Sequence, residues 1–181
     1  AAWMQIERGD MVAAGAAVSV VADPLKKKNF ELWALIGATE LATIEGLSAL
    51  DPRPRDNAAL MAHAEALEGL CAMWTAVDLA PFLPFFMATA GRLRAASGDS
   101  EGAADWYGKT LQFARTTGIH FYDAEVMRLQ SELLPEAPAG ATLRAAFEVA
   151  RRQNALPFEL RIACDLLDRG ASRIDSTLTA Q

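Results

Sequence analysis

The segment Thr117-Gly118-Ile119-His120-Phe121-Tyr122-Asp123-Ala124-Glu125 is echoed, about 36 residues further on, by Gln153-Asn154-Ala155-Leu156-Pro157-Phe158-Glu159-Leu160-Arg161. In each copy a residue that tolerates left-handed backbone, Gly118 or Asn154, closes one helix. An aromatic four residues later, Tyr122 or Phe158, opens the next. A period in this range predicts an array of antiparallel helix pairs, stacked as a tetratricopeptide-like right-handed solenoid. No pair in such an array can bury its apolar face alone. Arrays of this kind bind partners more often than they perform chemistry.

The rest of the composition agrees with helices. Of 181 residues, 52% are hydrophobic, with abundant Ala and Leu and no sustained alternation, which favours an all-α fold over a sheet. Net charge is -6 and the isoelectric point about 4.9, which argues against direct nucleic-acid binding. The apolar stretch from Leu79 to Ala90 is interrupted by Pro81 and Pro84 and is too short for a bilayer. Cys71 and Cys164 lack metal-ligand spacing and are expected as buried thiols of a cytoplasmic protein. The chain starts without Met, in Ala1-Ala2-Trp3, so an excised piece of a longer protein is expected, with a single repeat domain over 1–170 and a disordered tail over 171–181.

Helix punctuation can be followed along the chain. A short helix from Trp3 to Arg8 stops at Gly9, and Asp10 caps a helix carrying Met11, Gly15 and Val18 on one face. Ser97-Gly98-Asp99 repeats this junction before a helix with Ala103, Tyr107, Leu111 and Ala114 in line. Between them, Trp33, Gly37, Leu41 and Ile44 are expected to face inward on a helix from Asn29 to about Gly46. The stretch from Asp51 to Asp56, with Pro52 and Pro54, predicts a loop. The clearest stripe is Leu60, Ala64, Leu67, Cys71 and Trp74. A helix from Leu79 to about Ala96 is expected to turn Phe82, Phe86, Thr89 and Leu93 inward. Later helices should run from about His120 to Leu134, carrying Ile119, Tyr122, Val126, Leu129 and Leu133, then from a Pro135–Gly140 loop to Asn154, carrying Leu143, Phe147 and Ala150. A last one, carrying Phe158, Ile162 and Leu166, should end near Arg169. Helix starts near Phe30, Phe82, Tyr122 and Phe158 are spaced by about 52, 40 and 36 residues.

Catalytic signatures are sparse. His63 and His120 have no Cys or second His at ligand spacing, so no metal is expected. Arg8-Gly9-Asp10 is a helix stop and cap before it is an adhesion tripeptide. Asp165 and Asp168 suit a solvated helix face, and Lys26-Lys27-Lys28 suits a helix C-terminus. Arg144, Arg151, Arg152, Arg161, Arg169 and Arg173, interleaved with acids, predict a solvated surface with local ion pairs. The aromatic run Phe82, Phe85, Phe86 with Met87 fits packing between repeats first and a groove for a partner's apolar side chains second.

The run Tyr122-Asp123-Ala124-Glu125-Val126-Met127-Arg128-Leu129-Gln130-Ser131-Glu132-Leu133-Leu134, with Ala145-Ala146-Phe147-Glu148-Val149-Ala150-Arg151-Arg152-Gln153 and Glu159-Leu160-Arg161, resembles the C-terminal tetratricopeptide-like repeats of bacterial adenylate/guanylate cyclase-like ATPases and related LuxR-type transcriptional regulators. The resemblance is clearest from about Gly98 to Leu167. It implies a regulatory or scaffolding tail beside an NTPase, cyclase or DNA-binding module. The chain itself has no Walker loop, no placeable cyclase aspartate pair and no helix-turn-helix, so no nucleotide or DNA site carries over.

The expectation is therefore a non-catalytic helical-repeat domain, without cofactor, that mediates protein–protein interaction or regulation in signalling or transcription. Its partner is another protein or a further domain of the same one, with no membrane involved. Self-association through exposed end faces is also in keeping with a truncated array. The alternative is a small-molecule sensor whose effector sits on the concave face. Phe82, Phe86, Trp106 and Tyr122 are the candidate groove residues.

Overall fold

A computed structural model of the chain describes residues 2–27, 31–51 and 54–179, with side chains placed for 2–20, 31–51 and 54–170. The described residues form helices joined by short turns, with no strand among them. In order these are α1 (Ala2–Glu7), α2 (Met11–Lys27), α3 (Glu31–Ser48), α4 (Asn57–Ala76), α5 (Leu83–Ser97), α6 (Ser100–Thr117), α7 (Asp123–Glu132), α8 (Glu136–Arg152) and α9 (Leu156–Thr179). The all-α expectation holds. The backbone gathers into two compact units, Ala1–Lys109 and Thr110–Gln181, divided within α6.

Helix ends follow the expected punctuation. Gly9, Gly98, Gly118 and Asn154 adopt left-handed backbone, with φ of 77°, 98°, 76° and 53°. Asp10, Asp56 and Asp99 cap the helices that follow, accepting from the amides of Ala13, Ala59 and Gly102 at 2.9, 3.0 and 2.9 Å. Each cap satisfies a donor that the first helical turn leaves without an intrahelical partner.

In the first unit, α4 buries the whole expected stripe of Leu60, Ala64, Leu67, Cys71 and Trp74. Trp74 meets Phe86 edge-on at 5.0 Å, while Glu68 pairs with Arg94 further along. As one helix advances the other recedes, so α4 and α5 run antiparallel. From Leu83 to Gly91 every residue of α5 is buried, as befits a helix apolar on all sides. Gly91 permits this closeness: a Cβ there would lie 2.6 Å from the buried Tyr107 ring of α6.

Three expectations for this unit are corrected. Trp33 and Leu41 do not face inward; they are 52% and 44% exposed, and α3 instead buries Leu35, Thr39, Thr43 and Leu47. Threonine can occupy such a face because its hydroxyl returns to the helix. Thr39 donates to the Leu35 carbonyl at 2.8 Å and Thr43 to the Thr39 carbonyl at 2.7 Å. Helix α5 starts at Leu83 rather than Leu79, with Pro84 in its first turn. Phe82 thus stands before the helix, half exposed, while Phe86, Thr89 and Leu93 are buried as expected. The Asp51–Asp56 loop is seen at its described positions; Pro52 and Arg53, like the Phe30 helix start and the side chains of Lys26, Lys27 and Lys28, lie outside the described residues.

In the second unit α7 packs on α8, α8 on α9, and α7 on α9. Helix α8 begins at Glu136, where a loop to Gly140 was expected; Pro138 falls in the first turn, where its missing N–H breaks no hydrogen bond. Ala139, Leu143, Ala146 and Ala150 make its buried stripe, with Phe147 only half-buried beside it. Helix α9 buries Phe158 and Ile162 and continues to Thr179, past the expected end near Arg169; the expected disordered tail falls on positions whose side chains lie outside the described residues. Cys164 is exposed, not buried as expected, whereas Cys71 is buried.

The 36-residue period has a direct structural counterpart in this unit. Tyr122 contacts Phe158, Glu125 contacts Arg161, Arg128 contacts Asp165, and Arg169 donates to the Ser131 carbonyl. The near-constant offset along both helices means that α7 and α9 run parallel.

Candidate ligand cavity

A cavity of about 340 Å³ opens in the first unit. Trp3 and Met4 of α1, Trp33, Ile36 and Glu40 of α3, Trp74 near the end of α4, the turn Leu79–Phe82, and Phe86 of α5 line it. The i, i+3 and i+7 spacing of Trp33, Ile36 and Glu40 sets them on one face of α3. That face is the one left outside the Leu35–Thr39–Thr43 seam, which explains why Trp33 is exposed.

Trp74 is fixed from behind. Its Nε1–H donates to Thr39 Oγ1 at 2.8 Å, and Phe86 lies across its ring edge. On the opposite side Trp3 meets Phe82 at 5.6 Å with the rings inclined by 47°. Phe82 holds φ at 63°, and Asp78, at the other end of the same turn, holds φ at 54°. Non-glycine residues adopt this conformation at a penalty of roughly 1 kcal/mol or more. The strain is local to the turn that forms one wall of the cavity, and it leaves the Phe82 ring half exposed at the rim.

Glu40 is the one titratable side chain in the lining. Burial against these aromatic and aliphatic walls raises its pKa above the ordinary glutamate value, with the chain's terminal ammonium group acting in the opposite direction. No side chain among the described residues pairs with it. The lining is thus an aromatic box with a single carboxylate.

The other charged clusters are internally satisfied. Arg128, nearly buried, donates to Glu125 at 3.0 Å, Glu132 at 2.7 Å and Asp165 at 2.9 Å, and Arg161 approaches the same Glu125 at 3.6 Å. Burial pulls the Arg128 pKa down, but the surrounding carboxylates more than offset it and hold the guanidinium charged. Asp165, expected on a solvated face, thus ties α9 to α7, and Arg161 and Arg169 also bridge helices rather than forming only local surface pairs. Arg94 joins Glu68 and Asp99; the Gly102 N–H first, and Arg94 second, hold the Asp99 carboxyl below its usual range. His120 Nδ1 lies 2.8 Å from Asp123 at the start of α7. Among the described residues there is no His, Cys and carboxylate cluster able to hold a metal.

The structure brings together two of the four expected groove residues. Phe82 and Phe86 line the cavity. Trp106 sits on α6 with its Cβ beside Gly91 and Lys109 Nζ 5.2 Å from its ring, away from the lining. Tyr122 belongs to the second unit and is buried against Phe158 at 5.4 Å. The other lining residues, Trp3, Trp33, Trp74 and Glu40 among them, were not expected there, because residues so far apart in the chain carry no local pattern. The usable signal was the placement of three of the four tryptophans of the chain in the first 74 residues.

No model of a known protein family matches the chain, and no curated protein matches it either. Among the described residues no helix is long and apolar enough to cross a membrane.

Proposed function

We propose that the chain is a non-catalytic, cytoplasmic binding module built from stacked tetratricopeptide-like helix pairs, and that its ligand seat is the aromatic cavity of the first unit. Of the two roles drawn from the sequence, the small-molecule sensor is the one the geometry favours. The observation that carries it is a cavity of about 340 Å³, within the roughly 300–1,000 Å³ typical of small-molecule sites, whose rim keeps Trp33 and Phe82 half exposed. In a larger bacterial signalling or transcription-regulatory protein, occupation of this seat would report an effector to the attached modules. Selective binding to the folded state raises its stability. A thermal-shift screen of the chain against metabolites is expected to give stabilisation that Trp33→Ala abolishes. Stabilisation that survives this change, or none across the screen, counts against the cavity as the seat.

Protein interaction is the second reading, and α9 favours it. Leu156, Leu160 and Leu167 are 66%, 67% and 72% exposed and fall on one stripe, opposite the buried Phe158 and Ile162. That stripe suits a further helix pair or a second copy of the chain. Sedimentation of the chain and of Leu160→Glu tests it: a dimer lost on substitution supports the reading, and a monomer at all concentrations removes self-association.

A further inference from the structure

Resting on the reading of the cavity as a ligand seat, we infer that it takes a small, free organic cation bearing a methylated ammonium group, with the aromatic rings as its cage and Glu40 as its counter-charge. Three features lead there. First, the rings stand at angles rather than in a stack: Trp3 and Phe82 are inclined by 47° and Trp74 and Phe86 by 63°. Inclined rings around one space present faces and edges from several directions, and ring faces attract cations through their quadrupole.

Second, the cavity holds one carboxylate and no cationic side chain. Burying a carboxylate against hydrocarbon is unfavourable unless an opposite charge compensates it. An anion finds no cationic side chain in the lining, and a cation is drawn to Glu40 where a neutral apolar ligand is not.

Third, no side chain of the walls besides Glu40 is a strong hydrogen-bond acceptor, since the others are hydrocarbon, the thioether of Met4, or indoles, whose N–H only donates. A primary ammonium needs three acceptors and keeps its water tightly; a metal ion needs several oxygen ligands. A methylated ammonium needs none. Its charge is spread over methyl groups that lie against ring faces, and it sheds water readily. Choline-sized molecules fit such a cage, which is the arrangement aromatic boxes use for quaternary ammonium groups generally.

Calorimetric titration of the intact chain with choline and with its neutral tert-butyl isostere, in which carbon replaces nitrogen, tests the assignment. Choline is expected to bind about tenfold more tightly than the isostere, a difference of about 1.4 kcal/mol. Glu40→Gln should lose roughly that tenfold for choline and leave the isostere unchanged. Trp33→Ala, at an exposed position where the fold does not depend on the side chain, should weaken both. Equal affinities for choline and isostere would overturn the cation while leaving the cavity as an apolar seat. Absence of choline binding by a chain that unfolds cooperatively would overturn it too, and the metabolite screen would then decide the broader reading separately. Binding of a trimethyllysine peptide without binding of choline would overturn the free small molecule in favour of a protein ligand.

Discussion

Tyr122 and Phe158, the two aromatics that open corresponding helices 36 residues apart, pack on one another edge to face at 5.4 Å. Both are buried, and the contact joins the start of α7 to the first turn of α9. Two positions that echo one another in the sequence thus supply each ring's partner.

Tyr122→Ala and Phe158→Ala should each destabilise the chain by about 3–5 kcal/mol, as large-to-small core changes do. The double variant should lose less than the sum, with a coupling of roughly 0.5–1.5 kcal/mol for the ring pair. Denaturant unfolding of the four proteins measures this. Strict additivity would mean that the two rings pack independently.

Thr39 sits between a helix carbonyl and an indole. Its hydroxyl donates to Leu35 and accepts from Trp74 Nε1–H, each at 2.8 Å. Thr39→Val keeps the shape but leaves the Trp74 donor buried without its acceptor, a loss of about 1–3 kcal/mol. Thr39→Ser should recover most of it. Since Trp74 also walls the cavity, ligand binding should weaken in the valine variant and return in the serine one. Equal stability of the two would show that the hydroxyl does not hold the indole.

Glu40 has a raised pKa because burial disfavours its charged form. A raised carboxyl contributes stability that is fully present below its ordinary value and lost as pH rises through the elevated one. Unfolding of the chain and of Glu40→Gln, followed from about pH 4 to pH 7, should therefore show the two alike at the acid end and the variant ahead at the neutral end. A wild-type chain that gains on the variant as pH rises would mean that Glu40 is held by a paired cation. Bound choline should reverse the trend, since it binds the carboxylate form.

The two cysteines differ in exposure. Burial, helped by neighbouring Glu68, pushes the Cys71 thiol up to about 12, and its side chain is inaccessible. An alkylating reagent at neutral pH should label exposed Cys164 once per native chain and reach Cys71 only after denaturation. Mass spectrometry of the digested protein distinguishes them, and native labelling of Cys71 would contradict its burial.

The helical class, the caps at Asp10 and Asp99, the left-handed Gly118 and Asn154 and the stripe of α4 were all legible in the sequence, because each depends on residues a turn or two apart. The seam of α3 was not, since apolar size pointed to Trp33 and Leu41 while the hydroxyls of Thr39 and Thr43 returned to the helix and allowed burial. The start of α8 is not legible either, since Pro135 and Pro138 read locally as breakers although the first turn tolerates proline. The Arg128 cluster left a local trace in the i, i+3 and i+4 spacing of Glu125, Arg128 and Glu132, but its link to Asp165 is tertiary. So is the cavity, assembled from α1, α3, α4 and α5, which is why only Phe82 and Phe86 of its lining were found in advance.

The chain carries four tryptophans, of which Trp3, Trp33 and Trp74 line the cavity and Trp106 does not. Nuclear magnetic resonance of the four indole N–H groups, with choline or its neutral isostere added, reports directly on where a ligand sits. Movement of the three cavity signals with Trp106 unmoved is the expected result. Movement of Trp106 alone, or no movement at all, would contradict a ligand seat in the first unit.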